Sequence, residues 1–390
     1  MRRIYLDNSA TTEISEGALD KYIEVSRSAW GNPSSLHSFG LMAEREIDAA
    51  RSEILGSLGA GFDSELIFTS SGSEANNLAI VGRALSKDRY KRGAKIITTL
   101  GEHASVTEPI KRAEAIGLKV AYIPTVGGAI DTDALARELT PDVVLVSMMM
   151  VNNETGALYD VTAVSKMMKA RCPEAYLHVD ATQSYMKVAF TKKSIGADMI
   201  TLSSHKIEGP KGVGALVIDK RIIKERGLSP IILGGGQENG LRSGTENVPG
   251  IAAFGEAVRL ARASQGESIA KMEGLREYLI SRLAEEAFAE ISITNPESHA
   301  PHILNITLPK IKSETMLHYL SSEGIFVSSG SACSSNSGHS SSALVAYGRS
   351  EAEADTSIRI SFSPRSTRED IDELCNALAE GLAKLSRIRR

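Results

Sequence analysis

Tyr176-Leu177-His178-Val179-Asp180-Ala181-Thr182-Gln183 is a short apolar run that stops on a carboxylate and a polar turn. A run bounded in this way reads as a buried strand whose end serves a ligand rather than the core. Runs of the same kind recur from about residue 65 to 220, at 65–69, 95–99, 120–123, 143–150 and 199–202, with 212–218 closing the unit. Most are almost continuously hydrophobic, as parallel strands covered on both faces must be. Leu78, Ala79, Gly82 and Leu85, and again Val161, Val164, Met167 and Met168, recur at helical spacing in the gaps. The fold class that follows is α/β, a mostly parallel central sheet with helices on both faces.

Beyond residue 245 the texture changes. Helical patterns at 248–262 and 271–286 lead to 303–308 and 358–362, which alternate like half-buried strands, with helices at 314–322 and 368–385. This predicts a second, smaller α+β domain. Ser366 or Thr367 is the expected cap of the last helix, which carries acids in its first turn.

The chain of 390 residues is 42% hydrophobic and 24% charged, with a net charge of −4. That balance gives no support for a nucleic-acid or anionic-membrane partner. The longest apolar stretch, 143–151, is too short to span a bilayer, and the first residues lack the apolar run of a signal peptide. Three cysteines, Cys172, Cys333 and Cys375, are scattered without a CxxC pair. Neither a disulfide framework nor a cysteine-rich metal site is expected, and the expected compartment is a reducing cytoplasm.

The chemistry-bearing residues gather at strand ends. Lys206, in Ser203-Ser204-His205-Lys206, follows the strand after Asp180. An amine able to form an imine, with a strand-end acid shortly before it, is what pyridoxal phosphate asks of a protein. The lysine holds the aldehyde as a Schiff base, and the acid keeps the pyridine nitrogen protonated. The turn from Ser70 to Asn77, containing Gly72 and Ser73, opens a helix whose N-terminus can bind an anion; an ordinary capped turn is the plainer reading. His103 follows the next strand, where an imidazole can stack on a flat cofactor or exchange protons, although a lone loop histidine is more often a surface residue. Asn152-Asn153-Glu154 ends the strand before Asp180, and Gln183 lies just beyond that acid.

Gly234-Gly235-Gly236-Gln237 and Arg242-Ser243-Gly244-Thr245 form a further Gly/Ser segment with a cation, or else a tight surface loop. Cys333 lies in a Ser-rich run, 328–342, that is expected to pack no core and to leave its thiol accessible as a nucleophile. Cys172, at a helix end, and Cys375, in an amphipathic helix, read as structural. Arg359, central in a short strand, points inward either to grip a carboxylate or to make a structural ion pair.

Taken in order, these segments resemble the cysteine desulfurases, pyridoxal phosphate enzymes of aminotransferase class V, and within them the NifS/IscS-like class with a long cysteine loop. The resemblance runs nearly end to end. It rests on Tyr5 to Thr12, Gly31 to Ser35, Gly72-Ser73-Glu74, Glu102-His103, Asn152-Asn153-Glu154, His178 to Gln183, Ser203 to Lys206, Arg242 to Thr245, Ser329 to Cys333, and Ser357-Ile358-Arg359.

The resemblance implies a fold of the aspartate-aminotransferase type. Residues 15–260 would form the large cofactor domain, and 1–14 with 261–390 the small domain carrying the cysteine loop. Lys206 would be the Schiff-base lysine and later the base at the substrate Cα. Asp180 would pair with the pyridine nitrogen, His103 would stack on the ring and move protons, and Gln183 would bond the phenolic oxygen. Gly72, Ser73, Ser203 and His205 would hold the phosphate, with Thr245 reaching in from the other subunit of a homodimer. Asn153 and Arg359 would bind the carboxylate of L-cysteine, and Cys333 would take its sulfur as a persulfide, releasing alanine. The sulfur would pass to an acceptor protein, an iron–sulfur scaffold or a tRNA-thiolation enzyme. Glu208, Asn239 and Ser363 depart from the family's usual residues, and Glu208 is expected to alter the charge near the phosphate. Two other readings stand beside this one: a related lyase preferring selenocysteine, and a non-catalytic scaffold for sulfur transfer.

Overall fold

The computed structural model describes residues 2–86, 94–329 and 341–387. A short strand, β1 (Ile4–Tyr5), precedes seven strands of one large sheet: β2 (Ser64–Thr69), β3 (Lys95–Thr99), β4 (Lys119–Ile123), β5 (Val143–Met149), β6 (Tyr176–Asp180), β7 (Met199–Ser203) and β8 (Gly214–Asp219). Five more follow: β9 (Ser292–Thr294), β10 (Ile303–Thr307), β11 (Ile325–Phe326), β12 (Ser328–Ser329) and β13 (Ser357–Ser361).

The large sheet runs β2-β8-β7-β6-β5-β3-β4. All its pairs are parallel except those of β8, which lies antiparallel between β2 and β7. Successive residues of a strand serve opposite faces, so Leu66 and Phe68 join one core while Ile67 joins the other. One face is covered by the helices Ser38–Ser57 and Val248–Ala263, through Ile47, Ile54, Ile251 and Phe254. The other is covered by the helices Gly72–Ala84 and Ala104–Ala115, through Leu78 and Ile110. Burial of each such aliphatic side chain stabilises the fold by about 1.5–3 kcal/mol. This two-sided cover is why the strands read as unbroken apolar runs.

The helix Gln265–Leu283 carries the chain into a third core, around the antiparallel sheet β12-β13-β10-β9, where Leu275 and Leu279 meet Leu304, Ile306, Ile358 and Ile360. β1 pairs with β11 beside it. The closing helix, Arg368–Arg387, packs Leu374 and Leu378 into the same core. Thr367 is its cap: the Thr367 hydroxyl accepts from Asp370 N at 3.2 Å while Asp370 accepts from Thr367 N at 2.8 Å.

Two expectations need correction. β10 and β13 are buried along all five residues, not on alternate ones. Their polar alternation, Asn305 and Thr307 against Ser357, Arg359 and Ser361, faces protein; Ser361 Oγ, for example, accepts from Ser9 N at 2.8 Å. The Ser-rich run is also not uniformly without packing. Ser328 and Ser329 form a buried strand against Arg359 and Ile358, and Ser341 caps the helix Ser342–Tyr347. Small hydroxyl side chains fit where backbone ladders and caps supply the hydrogen bonds. Cys333 lies outside the described residues.

Candidate active site

The carboxyl ends of β3, β5, β6 and β7 open onto one cavity of about 330 Å³, the usual position for a ligand in an open α/β sheet. β6 ends on Asp180. Its Oδ1 accepts from Thr182 N at 2.9 Å and its Oδ2 from the Asn76 side-chain amide at 2.8 Å. β7 ends on Ser203 and runs into the turn Ser204–Lys206 before the chain reverses into β8. The Lys206 amine is aimed at the N-terminal segment, donating to the Ser9 and Ala10 carbonyls at 2.6 and 2.8 Å.

His103 caps the helix that follows β3, accepting from Ser105 N at 3.1 Å through Nδ1. That bond places the proton of the neutral ring on Nε2. Burial holds the imidazole below its ordinary pKa, and Asp180 opposes the shift. The ring is therefore neutral near pH 7. His205 is pushed down further, to about 4, by burial and then by Lys206.

At the start of the helix Gly72–Ala84, the Ser71 hydroxyl accepts from Glu74 N at 3.2 Å, and Gly72 and Ser73 supply the first helical N–H groups at the cavity wall. A Cβ on Gly72 would stand 3.2 Å from Thr182 Oγ1 and 3.3 Å from Ser203 Cβ. Gly214, opposite Thr69 and Ser203 in the sheet, lets the turn come close; a side chain there would meet the Ser71 carbonyl oxygen at 2.7 Å.

Arg359 enters the cavity from the small sheet. Its guanidinium donates to the Asn153 carbonyl at 2.8 Å and pairs with Asp7 at 2.8 Å, and its buried Nε has no hydrogen-bond partner among the described residues. Burial pushes the Asp7 carboxyl up while Arg359 draws it back down.

Of the residues singled out from sequence, Lys206, Asp180, His103, Gln183, Gly72, Ser73, Ser203, His205, Asn153 and Arg359 all line this cavity. Thr245 does not; it is exposed on the surface of the chain. Glu208 also lies outside the cavity. It sits at φ 62 and pairs with Arg365 at 3.2 Å, away from the helix N-terminus. Asn239 occupies a left-handed turn position at φ 57, and the Ser363 hydroxyl accepts from Arg365 N at 3.3 Å.

Contacts around these residues complete the site. Asn76 joins Asp180 to Ser105, and the Ser105 hydroxyl lies 2.9 Å from His103 Nδ1. Glu154 bonds the Ser341 hydroxyl, and burial raises its carboxyl to about 7. Gln183 donates to the Ser9 carbonyl at 2.9 Å.

The residues present fit pyridoxal phosphate. An amine, a doubly held carboxylate, a helix N-terminus for a phosphate and an arginine with an orphan N–H surround one space. Among the described residues no group of three or more metal-ligating side chains occurs, and no helix is long and apolar enough to cross a membrane.

The aminotransferase class-V family model matches residues 4–374. A protein of Dictyoglomus turgidum named cysteine desulfurase IscS is 36% identical over 99% of this chain and 96% of its own length. A solved structure described as a NifS-like protein superposes with a TM-score of 0.90 at 35% identity, covering 98% of this chain and all of the other. Another, described as SspA in complex with cysteine, gives 0.79 at 31% identity over 94% of this chain and all of the other. With a match spanning almost the whole sequence and the same fold throughout, this chain belongs to the aminotransferase class-V family and is a pyridoxal phosphate enzyme.

Proposed function

We propose that the chain is a cysteine desulfurase, converting L-cysteine to L-alanine and leaving the sulfur on Cys333 as a persulfide. The observation that carries this reading is the position of β12. Ser329 lines the cavity, and Cys333 is four residues further along, a reach of no more than about 14 Å of extended chain.

The roles that the resemblance implies for the chain's residues are supported by their place around one cavity. Lys206 anchors the cofactor and then carries the substrate Cα proton. The bound cofactor supplies an electron sink for the pair left at Cα. Asp180, locked by Thr182 N and Asn76, holds a negative charge against the ring nitrogen. Gly72, Ser73, Ser203 and His205 bind the phosphate, and Gln183 the phenolic oxygen. Asn153 and Arg359 grip the substrate carboxylate, with the Arg359 Nε as the open donor. Neutral His103, in the cavity wall, would contact the bound cofactor and pass protons.

The Cys333 thiolate attacks the substrate sulfur. A sulfur–sulfur bond forms, the carbon–sulfur bond breaks, and its electron pair stays on the carbon, which takes up a proton to become alanine. The persulfide is carried by thiol exchange to an acceptor protein for iron–sulfur cluster assembly or tRNA thiolation.

The chain works as a homodimer, in which exposed Thr245 reaches the phosphate site of the partner subunit, and in a reducing cytoplasm that keeps the thiol free. The test is direct. L-Cysteine with a thiol reductant yields alanine and sulfide in equal amounts, and Cys333→Ala loses sulfide release while the cofactor absorption still responds to cysteine. Undiminished turnover in that variant would replace this reading with a lyase.

A further inference from the structure

Lys187 follows β6 in the irregular stretch after Asp180. The residue before it, Met186, sits at φ 61, a left-handed conformation that a bulky side chain adopts only where the surroundings impose it. The next side chain turns inward. Lys187 is 7% exposed, and its buried amine has no hydrogen-bond partner among the described residues. An ammonium placed there loses its hydration and gains nothing in return. Lys187 lines a second cavity, of about 200 Å³, and Lys206 lines both it and the first. The remaining wall mixes apolar side chains, among them Ile207, Leu260, Met272 and Phe362, with hydroxyl residues and the charged Glu208 and Arg365.

We propose that Lys187 is a positioning residue that acts through Lys206: a second amine in the same buried wall opposes an added proton on the Lys206 nitrogen. That nitrogen is thereby kept available as nucleophile and base near neutral pH. This inference rests on the assignment of Lys206 given under the proposed function.

A second basic group beside an imine-forming lysine, in a desolvated wall, is a physical route to its activation. The charged groups around Lys187 are Lys206 and Glu208 from the turn after β7, Arg359 from β13, and Arg365, which lines the same cavity beyond β13 and pairs with Glu208. His205 and His302 feel its charge in turn. Burial holds the Lys187 amine down to about 7, with Lys206 and then Arg359 adding to the shift and Glu208 opposing it. The His302 ring is held neutral by burial and by Lys187. The neighbourhood thus resists a second positive charge.

The test uses the loaded full-length protein, titrated with pH through the visible absorption of its bound cofactor. In Lys187→Met the midpoint rises by about one pH unit, while Lys187→Arg, which carries a fixed charge, stays at or below the wild-type midpoint. The same displacement appears in the cofactor-free full chain when Lys206 is labelled with trace acetic anhydride across the pH range and quantified by mass spectrometry. The Met variant melts no lower than wild type, because an apolar chain replaces an unpaired buried amine. Lys187→Gln serves as a second neutral variant should the Met protein fail to fold. Wild-type midpoints in the neutral variant by both measurements overturn the inference while leaving the proposed function standing. Wild-type absorption in Lys206→Ala would instead overturn the Lys206 assignment, and this inference with it.

Discussion

The Asn76 side-chain amide donates to Asp180 Oδ2 at 2.8 Å and at the same time reaches Ser105 Oγ at 2.9 Å. Ser105 in turn touches His103 Nδ1, so a single buried amide couples the Asp180 carboxylate to His103. With Thr182 N on its other oxygen, Asp180 is held in one orientation. Removing Asn76 leaves that carboxylate short of a charge-assisted bond worth about 1.5–3 kcal/mol. Asn76→Ala is expected to weaken cofactor retention by about tenfold or more, read as loss of visible absorption on dialysis. Retention equal to wild type would show that the amide does not support Asp180.

Arg359 reaches both the N-terminal segment, through Asp7, and the strand-end loop, through the Asn153 carbonyl. Both bonds fix the guanidinium plane, and the buried Nε has no hydrogen-bond partner among the described residues. Lysine is a point charge and cannot satisfy two anchors and a carboxylate together. Arg359→Lys is expected to raise KM for L-cysteine by about tenfold or more, with a smaller effect on kcat. An unchanged KM in steady-state assays would leave Arg359 as a structural ion pair.

What the sequence disclosed tracks the range of the physical signal. The strands of the large sheet were legible because cover on both faces demands unbroken apolar runs, and the Thr367 cap because capping is local. Ser328–Ser329 was not, since two hydroxyl residues show no period, and neither was the full burial of β10 and β13, whose polar residues face protein rather than water. The Lys206 contacts to Ser9 and Ala10 join residues 197 and 196 positions apart, beyond any local pattern. Lys187 carries no mark at all in the sequence, where a lysine reads as a solvated charge.

Trp30, Leu36, Phe39, Leu41 and Leu233 are all exposed, and the Trp30 and Phe39 rings lie 5.2 Å apart. An apolar surface of this kind on a chain with large, complete cores is expected to be covered by a second copy. Leu36→Asp combined with Phe39→Asp is expected to convert a dimer to a monomer in light scattering and to loosen the cofactor, since Thr245 would then have no partner site to complete. A monomeric wild type would remove the argument for Thr245.

Glu102 is buried, accepting from Met149 N at 3.0 and 2.9 Å and from the Thr99 hydroxyl at 2.5 Å. Burial nonetheless raises its carboxyl from 4.5 to about 8, with the bonds from Thr99 and Met149 pulling the other way and Asp180 adding to the rise. Below the unfolded pKa near 4.5 both states hold the proton and the group costs nothing. Between there and about 8 only the unfolded chain ionises, so stability falls as pH rises, by up to about 1.4 kcal/mol per pH unit. Glu102→Gln cannot ionise and keeps a carbonyl for Met149 N. Denaturant unfolding across this window is therefore expected to show a shallower loss of stability with pH in the variant. Parallel curves for the two proteins would mean that Glu102 is charged in the folded state, held there by its backbone and hydroxyl donors against the cost of burial.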